Sequence, residues 1–94
     1  MESIRNYILQ ELFIDAPQAQ TDEDILRLSI IAELDAISLY KKFANQTTNE
    51  VIRKTLLEIS AEEEQHIGEL ETLLKQINPE YTNNLEKGKA EVVS

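Results

Sequence analysis

A chain of 94 residues, with 18 acidic against 9 basic side chains and a net charge of −9, has the length of one small domain, residues 1–94. That charge disfavours nucleic acid or an anionic membrane as partners, because both are held through basic patches. The lack of cysteine excludes disulfides, zinc–thiolate sites and thiol catalysis, and no apolar run approaches the ~20 residues that span a bilayer.

With two glycines, two prolines and abundant Leu, Ile, Glu and Ala, the fold class expected is all-α. Nothing at the start reads as an export signal, so a cytoplasmic protein is expected. Residues 3–14 read as a short amphipathic helix that Ser3 can cap. Asp15-Ala16-Pro17 should stop it, because the residue before a proline avoids the α region. A first long helix is expected over 22–45, opened by the capping signal Thr21-Asp22-Glu23-Asp24 with its acids in the first turn. After a break at Asn45-Gln46-Thr47-Thr48, Thr47 and Glu50 suggest the start of a second long helix over 48–77. Asn78 and Pro79 end it and can open a short helix over 79–87, leaving 88–94 as a flexible tail.

The two long helices carry the functional argument. In the second, Ile52, Leu56, Ile59, Glu63, His66, Leu70, Leu73 and Ile77 recur in alternating steps of four and three, which lines one helix face. Leu26, Ile30, Glu33, Ile37, Tyr40 and Ala44 make a matching stripe on the first. A carboxylate at the centre of a bundle costs several kcal/mol unless something compensates its charge, and a divalent cation does so. Carboxylate-bridged di-iron bundles draw one Glu from each of two helices and a Glu-x-x-His pair from each of the other two. One lone Glu33 and one Glu63-x-x-His66 amount to half that set. An antiparallel hairpin that completes a four-helix bundle by homodimerisation supplies the rest, with two iron ions per dimer. Glu63 would bridge, with Glu33 and His66 as terminal ligands. The oxygen-rich set favours iron over zinc, and the reaction would be oxidation of two Fe(II) by oxygen or peroxide.

Each residue also has a plainer reading. His66 alone is a satisfied core histidine, and Glu63 is one of three consecutive acids, Glu62 to Glu64, that suit a solvated face. A slip to Glu62, at i−4 from His66, stays open. Glu33 can be a boundary residue paired with a base. Tyr40 suits core packing with a polar tip able to hydrogen-bond a ligand carboxylate. Asp35, Glu62, Glu69 and Glu71 are surface acids, some of which could attract incoming iron.

Residues 25–40 (ILRLSIIAELDAISLY) together with Glu62-Glu63-Glu64-Gln65-His66-Ile67-Gly68-Glu69 strongly resemble the encapsulated ferritins, half-length members of the ferritin-like superfamily. The resemblance covers roughly residues 22–90. It implies a ferroxidase centre at a dimer interface and a ring-shaped decamer of five dimers. It also implies iron storage inside an encapsulin nanocompartment, with the encapsulin shell protein as partner. Glu33, Glu63 and His66 match the family's iron ligands by position, and Tyr40 its nearby tyrosine. Ala32 stands where some members carry a further acid, so an outer acceptance site for iron would rest on Asp35 and Glu62. Two other functions compete: a non-catalytic acidic helical module that dimerises through its seam, and a rubrerythrin-like di-iron oxidase or peroxidase.

Overall fold

The computed structural model describes residues 21–94, and every regular element among them is an α-helix: α1 (Asp22–Gln46), α2 (Glu50–Ile77) and α3 (Pro79–Val93). The helix expected over 3–14 lies outside the described residues. The first helix opens at its capping signal, where the Thr21 hydroxyl oxygen accepts from the Asp24 amide at 3.0 Å. Asp22, Glu23 and Asp24 place negative charge at the positive end of the helix dipole.

The second helix begins at Glu50 rather than at 48. Asn49 is the better cap here: its side-chain oxygen accepts from the amides of Val51 at 2.9 Å and Ile52 at 3.1 Å. Thr47 instead closes α1, and its hydroxyl accepts from the Asn49 amide at 3.1 Å. The third helix corrects a larger expectation, because it runs past 87 to Val93 and takes in most of the supposed tail. A single Gly88 costs a helix about 1 kcal/mol. The Lys, Ala and Glu residues around it are strong helix formers and carry the helix through.

A connection of three residues folds α2 back antiparallel against α1. Arg53 ties this turn. Its Nε donates to the Ala44 carbonyl at 3.1 Å, one Nη donates to the Thr47 carbonyl at 2.8 Å, and the other pairs with Glu50 at 2.9 Å. The last turn of α1 has no basic residue of its own, so the guanidinium brings positive charge from α2 to the dipole's negative end. Arg53→Met keeps the stem but leaves those carbonyls without this donor. It should lower stability by about 1–3 kcal/mol, read as a shifted denaturant midpoint with unchanged slope.

Between the helices Ala36, Tyr40, Ala44 and Leu56 form the buried core, with Leu39 and Ile59 packed against it. The alanines of α1 admit a close approach by α2, and Tyr40 and Leu74 fill the interior. At the open end of the hairpin, Glu23 accepts from Arg27 at 2.8 Å and from the side-chain amide of Asn78. Asn78 also caps α3 by accepting from the Tyr81 amide at 3.0 Å, while Arg27 lies 5.2 Å from the centre of the Tyr81 ring. The Arg27 hydrogen bond, then that of Asn78, holds the Glu23 carboxyl below its ordinary value of 4.5. The contribution of this tie is complete above that value and is lost as pH falls through the depressed one.

The hairpin covers little of its own apolar surface. Ile25, Ile31, Leu34, Ile52, Leu57, Leu73 and Ile77 all remain about half exposed. No residue of α3 is buried. No helix among the described residues is long and apolar enough to cross a membrane.

Candidate metal centre

Glu33 reaches the site from the middle of α1, while Glu63 and His66 reach it from the middle of α2, one helical turn apart. His66 Nδ1 stands 3.7 Å from a Glu33 carboxylate oxygen and 3.6 Å from one of Glu63. The antiparallel register brings the two helix centres level, so residues 30 apart in sequence share one point in space. All three ligand atoms lie within 4.8 Å of one another, and no other trio of His, Cys, Asp or Glu among the described residues converges in this way.

Burial grades across the trio. The Glu63 side chain is 7 % exposed, that of Glu33 14 %, and that of His66 45 %. The carboxylates are therefore held within the hairpin, and the imidazole stands on its open side. Two carboxylates sheltered from water need a cation or a donor nearby. Two oxygen donors and one imidazole are a chemistry that iron, manganese and zinc accept. This donor set fits a transition metal, although three ligands complete no coordination sphere for a pair of ions.

Among the other candidates, Glu62 is exposed and stands outside the converging group. Asp35, Glu69 and Glu64 likewise stand outside it, and Glu64 pairs across the hairpin with Lys41 at 3.3 Å. Such an exposed pair contributes little. Tyr40 belongs to the core, two turns beyond Glu33 and only 1 % exposed. One residue of interest gave no signal in the sequence. Ser60 is buried to the same degree, one turn before Glu63, and its hydroxyl has no hydrogen-bond partner.

A helical hairpin with Glu on one helix and Glu-x-x-His on the next holds half the ligand set of the carboxylate-bridged metal bundles. Residues 24–94 match the family model described as Rubrerythrin. The crystal structure of the encapsulated ferritin domain from Pyrococcus furiosus superimposes with a TM-score of 0.74 at 42 % identity, covering 86 % of each chain. The ferritin-like–encapsulin shell fusion protein of the same organism is 48 % identical over 69 residues, 73 % of this chain and 20 % of that one. The encapsulin nanocompartment cargo protein EncC of Myxococcus xanthus is 36 % identical over 67 residues, 68 % of this chain and 52 % of that one. The chain thus spans about a fifth of the first of these relatives and about half of the second. It belongs to the encapsulated ferritins, within the rubrerythrin family of ferritin-like proteins.

Proposed function

We propose that the protein is a ferroxidase, oxidising Fe(II) to Fe(III) at a di-iron centre shared by two copies of the chain. The observation that carries this is the half-set itself: one Glu33, one Glu63 and one His66 converging on the open side of a hairpin. A second, antiparallel hairpin doubles each ligand and encloses the exposed imidazole, giving two iron ions per dimer. Glu63 would bridge the ions, with Glu33 and His66 as the terminal ligands of each. Iron is the substrate, and each ion gives up one electron to oxygen or peroxide.

The chain's own groups do the positioning. The carboxylates of Glu33 and Glu63 offset the charge of the incoming cations, and the neutral imidazole of His66 offers a nitrogen. Tyr40 is assigned an auxiliary role near the centre, and the exposed Asp35 and Glu62 would draw iron toward it. A ring of five such dimers would give the unpaired apolar surface a further use. The names of the relatives, one fused to an encapsulin shell and one its cargo, support work inside an encapsulin compartment in the cytoplasm. There the product would be stored and free Fe(II) kept low.

The test is anaerobic addition of Fe(II) followed by air, read as the near-ultraviolet rise of Fe(III). Glu33→Ala and His66→Ala should slow that rise strongly, and rates equal to wild type would refute the ferroxidase. Native mass measurement should find two metals per dimer. A monomer with a full complement would refute the shared centre. The family's name gives a second reading, a rubrerythrin-like peroxidase, some weight. Peroxide supplied without oxygen separates the two, since that reading requires much the faster oxidation with peroxide. A non-catalytic dimerisation module would leave Fe(II) oxidation at the rate of protein-free buffer.

A further inference from the structure

Hydroxyl side chains inside an α-helix usually find a partner in the carbonyl four residues earlier. Here Ser29, Ser38, Thr55 and Thr72 all do so, at 2.7, 3.2, 2.8 and 2.8 Å. Each of those four stands on an exposed face, where water could serve equally well. Ser60 is different on both counts. It is 1 % exposed, and its hydroxyl makes no such bond and has no other partner. An orphaned buried hydroxyl is destabilising. Alanine at this position would fill nearly the same volume without that penalty.

Its location gives the hydroxyl a use. Helical side chains lean toward the N-terminus and cover the turn before their own Cα. By that rule the side chain at 63 leans toward the turn that carries Ser60, three residues earlier, although no hydrogen bond joins the two in the structure. Both side chains are buried on the face that meets α1. A hydroxyl is a donor, and an ionised carboxylate is purely an acceptor. Metal-ligating carboxylates are commonly oriented by a hydrogen bond from a neighbour that does not touch the metal.

We propose that Ser60 is a positioning residue for Glu63, its hydroxyl reserved for the carboxylate that holds the cation. This rests on the metal-centre reading above. Ser60 then trades stability of the metal-free hairpin for orientation of a ligand, a compromise found where a fold carries a site. The sequence alone gives no sign of this. Only the contrast with the four satisfied hydroxyls singles Ser60 out.

The experiment is a Co(II) titration of the full chain, followed by visible absorption, alongside thermal melts without metal. Ser60→Ala should melt at or above the wild-type temperature when metal-free. Its Co(II) affinity should fall about tenfold, with a shifted ligand-field spectrum. Ser60→Thr, which keeps the hydroxyl, should return the affinity and the spectrum toward wild type. Glu63→Gln is the control for the site itself. If Glu63→Gln loses Co(II) while Ser60→Ala keeps wild-type affinity and spectrum, the inference about Ser60 falls and the metal centre stands. If Glu63→Gln binds Co(II) unchanged, both fall. A purely structural role for Ser60 predicts the reverse of the proposal, a lower melt with unaltered binding.

Discussion

Glu63→Gln should slow Fe(II) oxidation by about two orders of magnitude or more, while the metal-free protein stays folded and as stable as wild type. Neighbours that merely orient a ligand are each worth 10–100-fold, so loss of a bridging ligand should reach at least the upper end of that range. In the proposed two-fold dimer the substitution would fall on both bridging positions at once. Glutamine keeps the volume and much of the hydrogen bonding of the original side chain but carries no charge. Stability should hold because glutamine fits the sheltered place of Glu63 with the same shape and still offers hydrogen-bonding atoms to the groups around it. Near-ultraviolet iron kinetics and a circular-dichroism melt on the same sample check both halves. Wild-type kinetics would remove Glu63 from the centre, and a collapsed melt would make it a structural residue.

The choice of Glu63 also marks where the sequence becomes ambiguous. Glu62, Glu63 and Glu64 are chemically identical neighbours, separated only by 100° of helix rotation each, and heptad spacing alone leaves room for a slip. The structure buries Glu63 beside His66, exposes Glu62 and gives Glu64 to Lys41. Caps were legible where side chain and position agree, as at Thr21 and at Asn78-Pro79. They misled at Thr47, because Asn49 competes two residues later with two amides to satisfy. Gly88 looks like a stop, but a lone glycine costs less than the surrounding helix formers return. Arg53 and Ser60 were out of reach for a different reason. One depends on α1 carbonyls that come near only after folding, the other on a rotamer.

The structure divides the stripe on α2. Leu56, Glu63 and, off the stripe, Ser60 and Leu74 turn toward α1 and are buried. Ile52, Leu73 and Ile77 remain 49 %, 48 % and 50 % exposed. One run of heptad positions thus divides into a part buried inside the hairpin and a part that the single chain leaves exposed. His66 belongs to the second group by its exposure, which on the proposed shared centre links the open apolar surface to the metal site.

From that division follows the expected behaviour of Leu73→Glu. Leu73 is seven residues beyond His66 and so on the same helix face, but it is no ligand and lies outside the core between α1 and α2. A carboxylate there costs the folded monomer little, since the side chain already meets water. In a two-fold dimer it appears twice, and each copy would be buried without a partner at a cost of several kcal/mol. The dimer dissociation constant should rise by at least about a hundredfold, since every 1.4 kcal/mol is tenfold. Light scattering after size exclusion should then find the 10.8 kDa monomer at concentrations where wild type is larger. Helicity by circular dichroism should be retained. Iron oxidation should be lost together with the dimer, although Glu33, Glu63 and His66 are all intact. That combination separates a shared centre from one that each hairpin completes alone: a helical monomer that still oxidises Fe(II) at the wild-type rate would overturn the shared centre, whereas an intact dimer would show that Leu73 lies outside the seam.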